Sequence, residues 1–341
     1  MRIGFNPHKD QKLSTSDFIH QVVIPVHIPN QENYFKDSLA ILKICLESLF
    51  KTSHPKTYFT VANNGSCREV VDYLNELYAL NKIHEVIHVS AIGKLNSILK
   101  SISGHKFDYI TITDADVLYL NNWQTETYII FKAFPKAGAV CPTPSSKSYK
   151  THTVNIWFDL FFSKSLHFTS VKNPDALKMF AESIDNGDFY NRFHLSQYLT
   201  VSNKEIKAVV GAGHFATTYR GDIFYPMETN YTNYKLGGNS ENDILDIPVV
   251  KKGLWRLSTE DNFAYHMGNV EESWMNEKLR ELKANTKVDF THADFKAVGK
   301  SQINYWIKCK LFGKIILKNY LIALFLQYKG LSKEASRNYN K

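Results

Sequence analysis

The first 145 residues alternate short apolar runs with longer amphipathic segments. Five runs rich in β-branched and aromatic residues, at 22–27, 57–62, 85–89, 107–113 and 137–141, are typical of buried strands. Between them, apolar residues recur every three or four positions at 34–50, 68–80, 93–102 and 123–134, which predicts amphipathic helices. Strands separated by helices of this length form βαβ units, so the pattern predicts a parallel sheet.

The pattern is weaker from 149 to 208, where aromatic residues are frequent. We interpret this stretch as an insertion of helices and loops that covers one end of the sheet and binds an acceptor. The predicted fold class is α/β, with a mostly parallel central sheet and helices on both of its faces. One domain spans 1–299, with a nucleotide-binding half at 20–145 and an acceptor half at 146–299, and a basic amphipathic helical tail follows at 300–341.

The positive charge of the chain is concentrated in this tail. The net charge is +8, and the segment 300–341 contains nine lysine or arginine residues against one acid, so the preceding residues are balanced. A basic tail on a neutral body argues against a nucleic-acid partner and for a tail that contacts an anionic surface. The chain has 341 residues, of which 44% are hydrophobic, and it can therefore bury a full core.

The cysteines and the N-terminal residues indicate a reducing compartment. The four cysteines are far apart and include no Cys-x-x-Cys pair, which argues against both a disulfide framework and a zinc site. Residues 1–21 contain no long apolar segment of the kind found in secretory signals. We therefore expect a cytoplasmic protein, and the basic tail adds the expectation of peripheral contact with the inner face of the membrane.

Two carboxylates, Asp114 and Asp116, follow the strand predicted at 107–113. In open α/β sheets, ligands bind at the carboxyl ends of the strands. Two aspartates separated by one residue can both turn toward one hard cation, and Mg²⁺ or Mn²⁺ binds a diphosphate together with one or two carboxylates. An isolated Asp-x-Asp is more often a solvated turn, so its interpretation depends on the rest of the chain.

Several short motifs give that context by their order along the chain. They are Val23-Ile24-Pro25-Val26, Asn63-Asn64-Gly65-Ser66, Gly93-Lys94-Leu95-Asn96, Asp114-Ala115-Asp116, Gly211-Ala212-Gly213 and Glu241-Asn242-Asp243. In this order they resemble the motifs of the family 2 glycosyltransferases of the GT-A fold, over 21–269. The resemblance implies transfer of a sugar, as in hexosyltransferases, from a nucleoside diphosphate sugar to a glycan or lipid-linked acceptor in surface polysaccharide synthesis. It also implies inversion at the anomeric carbon and Mn²⁺ or Mg²⁺ as cofactor.

The resemblance also implies which residues bind the nucleotide sugar. They are Pro25, Val26, His27, Asn63, Lys94, Asp114, Ala115 and Asp116. The family usually presents an aspartate to the base where this chain has Asn63, whose amide lacks the charge but can still bond to a base edge. Lys94 follows Gly93 at a helix start, where free N–H groups and the helix dipole already favour an anion such as a phosphate.

For the metal, the resemblance implies that Asp116 is a direct ligand and that Asp114 contacts the ribose or the water shell of the metal. His266 lies where many enzymes of this fold supply a further ligand. Imidazole suits Mn²⁺ better than Mg²⁺. A histidine on a strand is also often an ordinary core residue, and both interpretations of His266 stay open.

An inverting displacement needs a base that takes the proton of the acceptor hydroxyl. The family places an acidic pair near the start of a helix, and strict alignment here puts Asn242 at the position of the base. We favour Asp243, which a one-residue shift in register would supply, with Glu241 as the other candidate. The loop of Gly211, Gly213 and His214 fits the segment that approaches the donor and acceptor sugars, because glycine lets a backbone come close to a ligand.

One alternative function stays open at this stage. A non-catalytic protein of the same fold that binds nucleotide sugars or glycans would explain the amides at Asn63 and Asn242. A sugar-phosphate nucleotidyltransferase is disfavoured, because the residues after the first strand contain no glycine. The tail, with Lys310, Lys314 and Lys318 on one helical face, would lie either on an anionic membrane or against the domain with its lysines solvated.

Overall fold

Twelve strands occur in the computed structural model, which describes residues 3–12, 16–225, 227, 229–285, 291–296, 298–299 and 301–340. The strands are β1 (His20–Val26), β2 (Thr57–Asn64), β3 (Glu85–Val89), β4 (Tyr109–Thr113), β5 (Val117–Tyr119), β6 (Ala137–Cys141), β7 (Leu166–Ser170), β8 (Gln197–Asn203), β9 (Ile206–Val210), β10 (Ala216–Arg220), β11 (Trp255–Ser258) and β12 (Ala264–His266).

Ten of these strands form one sheet in the order β3-β2-β1-β4-β10-β6-β11-β9-β8-β7. Strands β3, β2, β1 and β4 are parallel neighbours, and β6 and β11 run in the same direction beyond the antiparallel β10. The far edge, β9, β8 and β7, is antiparallel. The predicted α/β class with a mostly parallel sheet is therefore confirmed, and every antiparallel pair of this sheet includes a strand from residues 166–220.

The α-helices of the described residues are α1 (Ser38–Thr52), α2 (Arg68–Ala79), α3 (Lys94–Ile102), α4 (Trp123–Ala133), α5 (Val154–Asp159), α6 (Pro174–Ser183), α7 (Arg192–Ser196), α8 (Ile247–Lys251), α9 (Ser273–Glu281), α10 (Gln302–Tyr305), α11 (Gly313–Ile316), α12 (Asn319–Tyr328) and α13 (Lys333–Asn338). Two π-helical turns, Asn242–Asp246 and Trp306–Phe312, lead into α8 and α11.

The alternation of side chains along β1 explains why helices cover both faces of the sheet. Val22 and Ile24 pack with α1 and α2 in one apolar cluster, whereas Val23 packs with α3 in another. Successive side chains of a strand point to opposite faces, so a strand that is apolar at every position must be covered on both sides. The predicted helices on both faces are thus confirmed.

The aromatic stretch from 149 to 208 differs from its predicted form. It contains the antiparallel strands β7 and β8 as well as helices, and these strands extend the sheet. Trp157 and Phe168 are buried in the largest apolar cluster of the described residues. Aromatic residues suit half-buried pleated surfaces as well as helices, which is why the pattern did not distinguish a sheet edge from a helical insertion.

A second sheet of two strands joins the two halves of the chain beside the main sheet. Strand β5, just after Asp116, pairs antiparallel with β12, and the register sets Val117 opposite His266. The backbone N–H of Met267 donates to the carbonyl oxygen of Asp116 at 2.8 Å. This short ladder brings residues about 150 positions apart in sequence to the same point of the fold.

The tail packs against the domain instead of extending from it. Ile316, Phe325 and Leu331 are buried in the same cluster as Trp157, and the indole of Trp157 stacks on Phe325 with 4.5 Å between ring centroids. Lys300, the first residue of the predicted tail, lies outside the described residues. The described residues contain no helix long and apolar enough to cross a membrane.

Candidate active site

Seven of the eight predicted nucleotide-sugar-binding residues, all except Asn63, line a cleft of about 430 Å³ at the carboxyl ends of β1, β2 and β4. Parallel strands end together at one edge of a sheet, and the loops that follow them form the usual binding crevice of open α/β folds. The cleft is lined by Pro25, Val26, His27, Ile28, Tyr34, Phe35, Ser38, Ile41, Asn64, Ala91, Gly93, Lys94, Asp114, Ala115, Asp116, Lys235, Leu236, Gly268 and Asn269.

Asp116 faces His266 at one side of this cleft. Their side chains are brought together by the β5–β12 ladder, and Oδ2 of Asp116 lies 3.5 Å from Nε2 of His266. The other oxygen, Oδ1, is buried and has no hydrogen-bond partner among the described residues. Burial raises the pKa of Asp116, His266 opposes this effect, and Asp114 adds to it.

The tautomer of His266 follows from its other ring nitrogen. Nδ1 lies 2.9 Å from Oγ of Ser183, and the Ser183 hydroxyl already donates to the carbonyl oxygen of Phe180 at 2.8 Å. Oγ of Ser183 therefore accepts from Nδ1–H of His266, so that in the neutral ring the lone pair is on Nε2. A lone pair then faces the Asp116 carboxylate at 3.5 Å, an arrangement that a cation between the two groups would satisfy.

A divalent cation fits these two groups. Within the described part of the chain no three His, Cys, Asp or Glu side chains converge on one point, so the protein offers a partial ligand set. Asp116 and His266 would hold the cation, and the remaining ligands would come from outside the protein, as when Mg²⁺ or Mn²⁺ binds with phosphate oxygens. An imidazole in the set favours Mn²⁺ over Mg²⁺.

Lys94, which lines the same cleft, lies between two carboxylates. Its Nζ is 2.6 Å from Oδ1 of Asp114 and 3.0 Å from Oε1 of Glu241. Burial alone would lower the pKa of the Lys94 ammonium, but the attraction of Asp114 and Glu241 outweighs it, and the pKa lies above its usual value. Lys94 is therefore a fixed positive charge at the cleft.

The start of α3 differs from the prediction in one respect. The backbone N–H of Lys94 is not free, because it donates to the carbonyl oxygen of Lys235 at 2.9 Å. Gly93 has φ +97°, and a Cβ there would lie 2.9 Å from Cα of Lys235, so glycine is needed where this loop crosses the helix start. Asn96 holds the loop by donating to the carbonyl oxygen of Thr232 at 2.8 Å.

The two asparagines after β2 have different positions. Asn63, the predicted contact to the base, is buried and turned away from the cleft: Nδ2 lies 2.9 Å from Nδ1 of His88, and Oδ1 accepts from the N–H of Ser66 at 3.0 Å. Asn64 lines the cleft instead, and its backbone carbonyl oxygen accepts from Nδ1–H of His27 at 2.8 Å. That bond leaves Nε2 of neutral His27 as an acceptor.

The two candidate bases also differ in position. Glu241 reaches the cleft through its ion pair with Lys94, whereas Asp243 is exposed and lines a separate pocket of about 40 Å³ with Leu99 and Ile223. The structure thus places Asp243, the residue favoured from the sequence, apart from the other site residues. The reason is that Glu241 and Asp243 are two positions apart at a helical turn, and residues at this spacing do not share a face.

His214 links Glu241 to a buried ion pair. Its Nε2 donates to Oδ2 of Asp246 at 2.8 Å, and its Nδ1 lies 3.7 Å from Oε2 of Glu241. Oδ1 of Asp246 lies 2.8 Å from Nη2 of Arg256, and both of these side chains are fully buried. Arg256 also donates to the carbonyl oxygen of Ala212, which holds the loop before His214.

The two glycines of that loop do not line the 430 Å³ cleft. Gly211 has φ +110°, and a Cβ there would lie 2.5 Å from the carbonyl oxygen of Ser148, so it is needed for packing within the protein. A Cβ at Gly213 would meet nothing closer than 3.7 Å, in the ring of Phe215. Of the predicted loop residues, only His214 contacts the other candidate site residues.

Sequence reasoning missed Asp246, Arg256 and Ser183. The signal for the first two is present, because each charged residue interrupts an apolar run, in Ile244-Leu245-Asp246-Ile247 and in Trp255-Arg256-Leu257. Charged residues are almost never fully buried unless they are paired, so two such interruptions indicate partners. Nothing in the sequence indicates the role of Ser183.

Comparisons with known proteins give similarity at a low level. No protein-family model and no curated protein matches the sequence. The chain is similar to the structure of S. aureus TarS 1–349 in complex with UDP-GlcNAc, with 11% identity, a TM-score of 0.42 and coverage of 95% of this chain and 70% of that one. It is also similar to the mannosyltransferase PcManGT from Pyrobaculum calidifontis in complex with GDP-Man and Mn²⁺, with 10% identity, a TM-score of 0.42 and coverage of 94% and 73%.

Proposed function

We propose that the protein is a GT-A-type glycosyltransferase that uses a divalent cation to transfer a sugar from a nucleoside diphosphate sugar to a glycan or lipid-linked acceptor, with inversion. The observation that carries the proposal is the pair of Asp116 and His266. In the Asp116 carboxylate, Oδ1 is buried without a hydrogen-bond partner among the described residues, and Oδ2 lies 3.5 Å from Nε2 of His266, at a cleft that Lys94 also lines. This charge pattern fits a metal-bound diphosphate.

In this proposal the residues of the site have separate roles. Asp116 and His266 hold the cation, which when bound acts as a Lewis acid toward the departing diphosphate. Lys94 supplies a second positive charge where negative charge develops. His27 and Asn64, at the ends of β1 and β2, face the nucleoside end of the cleft, which leaves Asn63 to support the turn.

Glu241 is the proposed general base. Oε1 is held by Lys94, whereas Oε2 faces His214 at 3.7 Å and makes no closer ion pair among the described residues. A carboxylate in this position can take the proton of an acceptor hydroxyl that attacks opposite the leaving group. Asp243 is not proposed for this role, because it lines another pocket.

The test is a screen of nucleoside diphosphate sugars for Mn²⁺-dependent hydrolysis and transfer, run on the wild type and on Asp116→Asn. We expect turnover with at least one donor and a fall of about 10²-fold or more in the variant, because the cation loses its carboxylate ligand. Asp108→Asn is a matched control. Asp108 lies at the other end of β4 and also pairs with a histidine, His292, at 2.8 Å.

Three outcomes of this screen discriminate the alternatives. Loss of turnover in Asp116→Asn but not in Asp108→Asn supports the transferase. Tight donor binding without hydrolysis or transfer by the wild type would favour the non-catalytic binding protein. Equal turnover in both variants would contradict the metal role of Asp116.

We also propose that the tail and the neighbouring α5 segment contact an anionic membrane, at its inner face in a cytoplasmic setting. Eleven large apolar side chains are exposed there: Phe158, Phe162, Ile303, Trp306, Ile307, Leu311, Ile315, Leu317, Tyr320, Leu324 and Tyr328. The aromatic contacts of Phe161 with Phe162, Phe312 and Tyr328 join the two segments into one surface. Exposed Lys310, Lys314 and Lys318 accompany it, and this combination suits a lipid surface.

A further inference from the structure

His214 lies between two carboxylates that belong to one helical turn. Oδ2 of Asp246 is 2.8 Å from its Nε2, and Oε2 of Glu241 is 3.7 Å from its Nδ1. Glu241 and Asp246 are five positions apart, and an i→i+5 turn brings residues at this spacing to the same side. In a regular α-helix, positions three and four apart share a face, and the two carboxylates would diverge.

Asp246 fixes the orientation and the tautomer of His214. A carboxylate can only accept, so Nε2 of His214 carries the proton of that 2.8 Å bond. Arg256 holds Asp246 in place, since its Nη2 is 2.8 Å from Oδ1 and its Nη1 donates to the carbonyl oxygen of Thr151. The remaining nitrogen of neutral His214, Nδ1, therefore presents a lone pair to Glu241.

The charges of the cluster leave room for one more proton. Its carboxylates are Asp114, Glu241 and Asp246, and its permanent cations are Lys94 and Arg256. With neutral His214 the cluster carries one net negative charge. A proton on Nδ1 of His214 would neutralise that charge and would stand between two carboxylates.

We propose that His214 receives the acceptor proton through Glu241 and that Asp246 is the positioning residue for His214. This inference rests on the proposed function. The acceptor oxygen forms its bond to the anomeric carbon as the bond from that carbon to the diphosphate oxygen breaks, and the electron pair leaves with the diphosphate. The hydroxyl proton passes to Glu241 and then to Nδ1 of His214, which becomes an imidazolium that still donates to Asp246 and later releases the proton to water.

The pH dependence of this step has a defined set of neighbours. Glu241 and Asp246 face His214 directly, Lys94 faces Glu241, and Arg256 faces Asp246. Two further titratable groups of the described residues belong to this surrounding. His152 lies 4.0 Å from Oδ2 of Asp246, and burial lowers its pKa. Tyr219 is buried beside Asp246 and Glu241, and burial raises its pKa. A rate that depends on a neutral imidazole rises with pH until that imidazole has lost its proton.

The test compares the pH profiles of kcat and kcat/KM for the wild type, His214→Gln and His105→Gln. Glutamine can still donate to Asp246 but cannot take up a proton. We expect kcat of His214→Gln to fall by about 10²-fold, with little change in KM for the donor and with loss of the acid limb of the profile. His105→Gln is the matched control, because His105 also pairs with a carboxylate, Glu85 at 3.1 Å, and its side chain is also 26% exposed.

Chemical rescue and imidazole NMR distinguish a proton-transfer role of His214 from a structural role. Added imidazole should restore part of the rate of His214→Gly, which a purely structural role would not predict. In the NMR titration, Glu241→Gln should move the midpoint of His214 to lower pH, because the facing negative charge is removed. The inference would be overturned if the pH profile of His214→Gln were the same as that of the wild type, or if the titration midpoint of His214 were the same in Glu241→Gln as in the wild type. A wild type without turnover would contradict the proposed function instead, and the NMR titration would still report on the pair.

Discussion

Lys94 is the residue on which the charge balance of the cleft depends. It holds Asp114 and Glu241 at 2.6 and 3.0 Å, so one ammonium compensates two carboxylates from distant parts of the chain. A diphosphate that enters the cleft would compete with both carboxylates for this cation. Donor binding would thereby loosen the hold on Glu241, the proposed base, at the moment the base is needed.

At this scale we predict the effect of Lys94→Met. The change removes the cation but keeps most of the apolar stem, and we expect binding of a nucleoside diphosphate to weaken by roughly tenfold to a hundredfold. The two carboxylates lose their shared partner, which should lower the free energy of unfolding by about 1 kcal/mol after allowance for their partial exposure. Calorimetric titration and thermal unfolding measure the two effects. Lys100→Met, on the exposed side of the same helix α3, is the control, and equal affinities in the two variants would contradict the role of Lys94.

The residues that the sequence could place in the cleft are those fixed by strand ends. Asp114, Asp116 and His27 follow buried strands, and the carboxyl ends of parallel strands meet at one edge. Asn63 and Asp243 could not be placed in this way. The turn after β2 directs Asn64 instead of its neighbour toward the cleft. Glu241 and Asp243 are two positions apart at a helical turn and cannot share a face, and the sequence did not show which of them reaches Lys94.

At the scale of elements, the site depends on two short features that the sequence did not reveal. The ladder of β5 and β12 has three residue pairs, and the π-helical turn spans five residues, Asn242–Asp246. The first brings His266 to Asp116, and the second directs Glu241 and Asp246 toward His214. Short strands and π turns are rare or weakly patterned, whereas the long helices and apolar strands of the first half are strongly periodic.

The contact between the tail and His194 predicts that the stability of the protein depends on pH. His194 in α7 is buried, and its Nε2 donates to the carbonyl oxygen of Tyr339, just beyond α13, at 2.8 Å. Burial lowers the pKa of His194 to about 4. In the unfolded chain histidine binds a proton below about pH 6.5, so stability is full above that pH and is lost as the pH falls toward 4. The expected loss is up to about 2 kcal/mol at pH 5.

Denaturant unfolding at pH 7 and pH 5 checks this effect. His194→Gln can still donate to Tyr339 but does not titrate, and the variant should therefore lose less stability on acidification than the wild type. His54, whose pKa burial lowers to about 4, should account for part of the remaining loss. His105→Gln should behave like the wild type, and an identical acid response in His194→Gln would refute the assignment.

In the whole molecule, one side of the tail is packed against the domain, and its other side is an exposed apolar surface. Lys329 illustrates the packing of the tail against the domain. Its ammonium donates to the carbonyl oxygens of Leu160, Phe161 and Ser163, and burial lowers its pKa to about 8. The basic, amphipathic character of the tail was readable from the sequence. Its docking depends on Trp157 and Phe325, contacts between segments that no local pattern relates.

We predict that the exposed side of the tail binds anionic lipid vesicles. Purified protein should co-float with vesicles that contain phosphatidylglycerol and less with purely zwitterionic vesicles, and salt should weaken the binding. Phe162 and Trp306 are 86% and 58% exposed, and their joint replacement by serine should reduce vesicle binding at least about tenfold because two aromatic side chains no longer enter the lipid. Tyr78→Ser, an aromatic residue 53% exposed on α2, is the control. Binding that is absent, or that is equally strong in the double variant, would show that this surface has another role.

The central claim is that the cleft binds a metal-bound diphosphate through Asp116. Electron paramagnetic resonance of Mn²⁺, titrated with protein and a set of nucleoside diphosphates, tests it most directly. We predict that the wild type with at least one nucleotide removes the signal of free Mn²⁺ and shows coupling of bound Mn²⁺ to phosphorus and to an imidazole nitrogen, and that Asp116→Asn restores the free signal. A free Mn²⁺ signal that the wild type leaves unchanged with every nucleotide, or an identical titration of Asp116→Asn, would contradict the claim.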